Sequence, residues 1–322
     1  MFFIKEVYRL TYRRYLIQRV IYLLITLWLI VSLTFFLMKF LPGSPFANEE
    51  MLTASQLASL KAKYHLDLPL WQQYGHYLAN ALRGDLGISF QFNNTPVTDL
   101  IKARALPSIQ LGLQAMLLGT IVGTLLGCIA AVKHNSCLDY LTSVLAIGGR
   151  SVPNFVFAVA LQFVFAVTLH CLPIAFWKDG FLSTILPTLA LAIGPTADAA
   201  RFVRTEMVEV LNTDYIELAT AKGFSKSYVI FSHALRNAII PLLTILGPMT
   251  AGLMTGSLVI ENIFSIPGIG EQFTKSILVN DYPTIMGITI LYSSFLLVFI
   301  LLVDILYGWI DPRMKLSGGE AE

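Results

Sequence analysis

The sequence predicts an all-α polytopic membrane protein with six transmembrane helices and a small extracytoplasmic subdomain between the first two. Of its 322 residues, 56 % are hydrophobic and only 13 % are Asp, Glu, Lys or Arg, with a mean hydropathy of +0.69. A soluble domain carries about a quarter charged residues, so this chain lacks the polar surface to cover itself. Several uncharged stretches reach eighteen residues or more, long enough to cross a hydrocarbon layer about 30 Å thick. A soluble enzyme, a disordered chain and a nucleic-acid binder are all disfavoured. The formal net charge of +2 says little, because the placement of Lys and Arg matters more than their sum in a membrane protein. Cys128, Cys137 and Cys171 form neither a disulfide framework nor a metal spacing.

Residues 1–19 carry Lys5, Arg9, Arg13, Arg14 and Arg19 and no small-residue cleavage site, so they read as a segment ahead of an uncleaved anchor. The anchor is Val20–Met38, nineteen residues without a charge. Residues 39–108 form the outer subdomain. It opens on the turn cluster Leu41-Pro42-Gly43-Ser44-Pro45, and Leu57, Leu60 and Tyr64 then fall at helical spacing. A second amphipathic run has Pro69 near its start, Leu70, Trp71, Tyr74, Tyr77, Leu78 and Leu82 on one face, and Gly84 as its stop. Leu86 to Phe92 alternates like a short strand.

The core, residues 109–310, holds five further spans: Leu111–Val132, Leu141–Leu169, Leu182–Ala200, Ile239–Ile260 and Ile285–Ile310. The third span is interrupted by Arg150, Ser151, Pro153 and Asn154. This fits an inner extension followed by a kinked span, or a shorter span with other boundaries. Orientation follows from the Lys and Arg of the short loops and tails. On the N-terminal side lie the five residues above, Lys133, then Arg201, Arg204, Lys222, Lys226 and Arg236, and in the tail 311–322 Arg313 and Lys315; opposite lie only Lys178 and Lys275. Both termini are therefore expected in the cytoplasm.

Gly119, Gly123 and Gly127 make two overlapping Gly-xxx-Gly repeats on the second span, and Gly252 and Gly256 repeat the device on the fifth. Lipid tails are as apolar as Leu, so helices associate where small residues let backbones approach. The expected role is helix packing, within this bundle or against a second membrane subunit. Charges inside spans are few: Arg150, Asp198 and Asp304. Each would cost roughly 2.5–3.5 kcal/mol at the bilayer centre. Asp198 can pair with Arg201 three residues on, and both it and Asp304 read as interfacial charges near the inner boundary. Arg150, with Asn154 beside it, is left as the candidate for a translocation pathway. There is no chain of membrane carboxylates of the kind a proton-coupled carrier needs.

The most informative stretch is 204–237. Asp214 is a good N-cap with Glu217 three residues later, the capping-box spacing. The helix runs to Gly223, and Ser225 can cap a second one through Val229, Phe231, Ala234 and Leu235. Two short helices hinged at a glycine make a knob whose apolar residues stay exposed unless another protein covers them. The alternative is a loop lying on lipid headgroups, held by Lys222, Lys226 and Arg236.

Glu217-Leu218-Ala219-Thr220-Ala221-Lys222-Gly223 resembles the Glu-Ala-Ala-x-x-x-Gly motif of binding-protein-dependent ABC transporter permeases, with Leu218 in place of the first Ala. Further on, His233-Ala234-Leu235-Arg236 departs from the general Ile-x-Leu-Pro pattern and resembles the oligopeptide, dipeptide and nickel branch. Glu261-Asn262-Ile263-Phe264-Ser265-Ile266-Pro267-Gly268-Ile269-Gly270 and Asn280-Asp281-Tyr282-Pro283 are similar to that branch's outer loop. Leu41-Pro42-Gly43-Ser44-Pro45-Phe46, Gly84-Asp85-Leu86-Gly87, Val303-Asp304-Ile305-Leu306-Tyr307 and Asp311-Pro312-Arg313 look like its other signatures.

The resemblance implies the type I importer permease fold in a bacterial cytoplasmic (inner) membrane. It implies that Asp214, Tyr215, Glu217, Leu218, Ala219, Ala221, Lys222 and Gly223 form a coupling helix that docks on an ATPase subunit. Glu261, Pro267, Gly268, Gly270, Asp281 and Tyr282 would then belong to the outer loop. The implied partners are a second homologous permease, two ATPase subunits, an extracytoplasmic peptide-binding protein and membrane lipid, with no nucleic acid. The implied cargo is oligopeptide, with dipeptide and nickel as the alternatives in the branch, and an ion-coupled carrier or channel as the rival class. The chain has no Gly-x-x-x-x-Gly-Lys-Ser/Thr, no His-Glu-x-x-His and no Cys pair. No catalytic residue, metal or cofactor is therefore expected in it, and ATP and Mg would bind the partner ATPases.

Overall fold

The computed structural model describes residues 2–40, 44–46, 49 and 52–310, with side chains described from 14 to 306 in those stretches. The expected turn at Leu41-Pro42-Gly43, the basic side chains of Lys5, Arg9 and Arg13, and the tail signature Asp311-Pro312-Arg313 with Lys315 lie outside the described residues. The order is α1 (Phe2–Met38), α2 (Ala54–Lys63), α3 (Leu70–Leu82), α4 (Val97–Val132), α5 (Cys137–Ser151) and α6 (Asn154–Leu161), which continues as a π-helical turn over Gln162–Thr168. Then follow α7 (Leu182–Leu211), α8 (Asp214–Ala221), α9 (Lys226–Tyr228), a second π-helical turn (Val229–Ala234), α10 (Leu235–Ala238), α11 (Ile240–Met254), α12 (Leu258–Ile263), α13 (Ile269–Leu278) and α14 (Tyr282–Ile310). The end of the bundle holding the N-terminus of α1 is called the inner end here.

Among the described residues, four stretches are long and apolar enough to cross a membrane: Arg14–Met38, Val97–Val132, Ile240–Ile263 and Tyr282–Leu306. The third expected span is a broken one. α5 and the Asn154–Thr168 segment meet at an angle of 100°, where Pro153 cannot donate a helical hydrogen bond. Counted as one span, the pair is the fifth. The sixth is α7, which is diluted by Asp198, Arg201, Pro187 and Pro195. Its depth is fixed by α4: Gly119 lies on Pro195, Gly123 on Ala199 and Gly127 on Val203, so the two helices run parallel in register. A helix lying along a spanning helix crosses with it. Any Cβ at those three glycines would overlap α7, which is how small residues bring membrane helices together.

The other two glycines behave differently from the expectation. Gly252 is exposed and a Cβ there would meet nothing within 4 Å, so it packs no helix within this chain. Gly256 ends α11 at φ +97° and faces Glu261 rather than a helix. The expected strand at Leu86–Phe92 is also absent: one isolated bridge, Ile88 to Pro96, stands there. Gly87 at φ +81° and Asn93 and Asn94 at φ +52° turn the chain back too soon for a ladder.

Among the described residues, three apolar clusters hold the bundle. The inner one joins Val203 and Met207 of α7 to Ile216, Ala219, Val229, Ala238 and Leu242. The outer one joins Leu111, Ala158, Leu186 and Ala190 to Ile260 and Phe264. The third joins Val31 and Phe35 of α1 to Ile285 and Met286 of α14, with α3 against it.

Candidate functional site

At the inner end, α7 continues past the bundle and delivers the chain to α8. The N-cap is Thr213, one residue before the expected Asp214. Its hydroxyl donates back to the Val210 carbonyl at 2.6 Å and caps nothing, so the predicted capping box does not form. Asp214 and Glu217 instead occupy the first turn, where carboxylates are favoured by the helix dipole. Ile216 and Ala219 are buried and tie α8 to α7, and the Asn237 side chain donates to the Tyr215 hydroxyl at 2.7 Å, tying α8 to α10. Gly223 turns the chain at φ +81°, and the Ser225 hydroxyl accepts from the Tyr228 amide at 3.4 Å. Ala221 and Lys222 are exposed beside the turn.

The knob is thus fixed from behind and bare in front. Leu218 is 56 % and Phe231 59 % exposed, and Tyr215, Phe224 and Tyr228 are exposed as well. Phe224 and Tyr228 lie 5.1 Å apart, centroid to centroid. At the knob's root, Arg204 of α7 clamps Asp139 of α5: its Nη2 donates to Oδ2 at 2.9 Å and its Nε to Oδ1 at 2.5 Å. His134 Nδ1 lies 3.2 Å from Oδ2 and the Asn135 amide donates to it at 2.9 Å. Nothing in the sequence marked Asp139, because its partner is 65 residues away.

Deeper in, Arg150 pairs with Asp198 at 3.2 Å. The expected Asp198–Arg201 pairing gives way because Asp198 is turned into the α5 side of α7. The Arg150 side chain remains 67 % exposed. Asn154 is half-buried in the first turn of α6, across the break. Asp304 pairs with Arg19 of α1 at 2.7 Å, which closes the inner end of α1 onto α14.

The outer loop is built around two buried carboxylates. Glu261 accepts from the Ser108 hydroxyl at 2.7 Å and from the Glu271 amide at 2.9 Å. The Ser108 hydroxyl in turn accepts from the Ile269 amide at 2.9 Å, so the unsatisfied N-terminal amides of α13 end on Glu261 and its partner. A Cβ at Gly268 would overlap this carboxylate, and Gly256 and Gly270 crowd the same group. The glycines of the Pro267-Gly268-Ile269-Gly270 stretch are there for the acid; Pro267 itself is exposed.

Asp281, fully buried, accepts from the Ser89 hydroxyl at 2.6 Å, the Phe90 amide at 3.1 Å and the Thr284 hydroxyl at 2.6 Å. It staples the 86–92 turn to the start of α14, with Tyr282 half-buried next to it. Glu271 bonds Arg104 at 2.9 Å and Lys275 at 2.5 Å. Burial alone would push its carboxyl up, but those two cations hold it below the usual carboxylate range.

A bundle of spanning helices with a rigid outer loop and a bare inner knob defines a multi-pass membrane permease subunit. Residues 123–316 match the family described as "Binding-protein-dependent transport system inner membrane component", and residues 12–109 match the N-terminal part of the same membrane components. The chain belongs to this family. It is 49 % identical over 303 residues to the dipeptide transport system permease protein DppB of Lactococcus lactis, covering 94 % of this chain and 99 % of that one. It is 46 % identical to the protein of the same name from Bacillus subtilis, covering 94 % and 98 %. It is 40 % identical to the oligopeptide transport system permease protein OppB of Salmonella typhimurium, covering 94 % and 99 %. Among solved structures, an amino acid ABC transporter "with histidines" superposes with a TM-score of 0.50 at 17 % identity, over 65 % of this chain and 93 % of that one. That likeness gives the fold alone.

Proposed function

We propose that this chain is one of two membrane subunits of an ATP-driven importer of short peptides in a bacterial cytoplasmic membrane. Its inner end would face the cytoplasm, where α8 docks on a separate ATPase subunit. The observation that carries the reading is the knob: five large apolar side chains from Tyr215 to Phe231 are left bare on a segment anchored from behind. A monomer rarely keeps such a patch without a partner for it.

In this reading ATP and Mg bind only the partner ATPases, and this subunit moves no bond. Closure of the ATPase pair carries α8 and the inner half of α7 with it, which biases a two-state bundle between inner-open and outer-open forms. The Asp139–Arg204 clamp passes that motion to α5. Arg150 and Asn154 flank the break in the third span, on a face where a charge two-thirds exposed is incompatible with lipid tails. In this reading that face lines the pathway shared with the second, homologous permease. An external binding protein delivers peptide to the outer end.

Relatives named for dipeptides and for oligopeptides both support the peptide class. Proteoliposomes holding the full assembly, given binding protein and ATP, should take up short peptides and hydrolyse ATP faster when peptide is present. Uptake of nickel without peptide, or uptake that ignores ATP, would refute the reading.

A further inference from the structure

α3 is the part of the outer subdomain least suited to water. Its thirteen residues, Leu70–Leu82, contain no Asp, Glu, Lys or Arg, whereas α2 carries Lys61 and Lys63. One flank of α3 packs on the bundle. Tyr74, Tyr77 and Leu78 join Phe35 and Met38 of α1 and Met286 of α14. The Tyr74 hydroxyl bonds Ser32 at 2.5 Å, and the Trp71 and Phe36 rings meet edge to face at 5.2 Å.

Those contacts set the depth of α3. Ser32 lies six residues before the end of α1 at Met38, about 9 Å below it. The nineteen uncharged residues between Arg19 and Lys39 make about 29 Å of helix, close to the thickness of the hydrocarbon layer. With the layer centred on that stretch, a side chain bonded to Ser32 lies inside it.

Next to that flank runs a bare strip: Trp71, touched on one side by Phe36, is still 74 % exposed and Leu82 is 89 % exposed. They stand three turns apart on one side, and a Cβ at Gly75 between them would meet nothing within 4 Å. On the outer half of α1 Leu29, Leu33 and Leu37 are exposed too, as is Phe40 just past its end, so the apolar surface of the spanning helix continues onto α3. The polar edge carries Gln72, Gln73, His76 and Asn80; Gln73 donates to the Leu66 and Leu68 carbonyls at 3.2 and 2.8 Å and accepts from Lys39 at 2.7 Å, which holds one ammonium beside it.

We propose that α3 is an interfacial helix immersed in the outer leaflet, with its Trp71–Leu82 flank covered by phospholipid acyl chains. Residues 70–82 then belong to the membrane body, and the water-facing part of the subdomain shrinks to α2 and the 86–96 turn. The amphipathic length and the Trp at one end are features of helices that lie in the membrane plane, with Gln72, Gln73, His76 and Asn80 supplying the polar face that Lys and Arg more often supply.

The test uses the assembled transporter in phosphatidylcholine nanodiscs, with ordinary or brominated acyl chains. The difference in emission between wild type and Trp71→Phe isolates Trp71. It should be blue-shifted and lose most of its intensity in brominated lipid while aqueous iodide leaves it unchanged. Quenching by iodide and not by bromine would put the flank in water. Quenching by neither would put it under another protein subunit. Either result overturns the proposal. Gly75→Cys carrying a nitroxide, in a chain with its native cysteines replaced, gives a second readout where the added group has room. The label should relax with oxygen and not with an aqueous nickel chelate; the reverse contradicts immersion.

Discussion

The outer loop and the inner knob are both short helices joined by glycine turns, yet they are finished in opposite ways. In the outer loop the polar groups are consumed by the chain's own atoms. Glu261 meets Ser108 and the head of α13, and Asp281 meets Ser89, Phe90 and Thr284. In the knob the anchoring contacts are apolar and face α7, while the opposite face shows Leu218 and Phe231 to solvent. One region is complete within this chain, and the other is the one that the proposed function gives to a partner. Substitutions should therefore lower stability in the first and association in the second.

The largest effect is expected at Glu261. Glu261→Ala strands the Ser108 hydroxyl and the Glu271 amide in a buried site, and should cost about 3 kcal/mol or more, read as a fall in the melting temperature in detergent. Gly268→Ala should cost about 1–3 kcal/mol by overlap with the same carboxylate. An unchanged melting temperature in both would remove the outer half of the contrast.

The Asp139–Arg204 clamp comes next, because it is buried on the Asp139 side and sits at the root of the knob. Asp139→Asn should cost about 2 kcal/mol, since it removes the charge that Arg204 and His134 address.

In the knob the expected loss is in binding and not in folding. Leu218→Asp with Phe231→Asp should leave the stability within about 0.5 kcal/mol of wild type, read as a nearly unchanged melting temperature. Co-purification with the ATPase subunits should weaken roughly tenfold or more, the scale of a buried anchor at 1.4 kcal/mol. If stability fell and association held, the comparison would be reversed.

The smallest effect is at Glu271, near the outer surface. Its carboxyl titrates below the usual carboxylate range because of Lys275 and Arg104, against the opposing push of burial. The stabilisation is present at neutral pH and is lost as pH falls below about 4.3 through the lowered folded value. Glu271→Gln should remove about 0.5 kcal/mol of it, seen as a smaller loss of stability between neutral and acid pH.

Local patterns carried the spanning helices, the Gly119/Gly123/Gly127 seam and the hinge at Gly223, because each depends on residues close in sequence. The partners of the charges did not show. Glu261 needs Ser108, 153 residues away, and Asp139 needs Arg204, so no spacing rule reaches them. Gly252 and Gly256 looked alike in sequence and separated in space: one opens onto empty volume and the other onto a carboxylate. Leu86–Phe92 alternated like a strand, but Asp281 took the Phe90 amide that a neighbouring strand would have used.

The claim that the knob is gripped by a separate ATPase is tested most directly by its accessibility. A single cysteine at Leu218→Cys, in a chain otherwise free of cysteine, is exposed to a polar maleimide from the inner side, first in the subunit alone and then in the full assembly. The account predicts ready labelling of the lone subunit and near-complete protection in the assembly. Equal labelling in both, or labelling from the outer side, would contradict it.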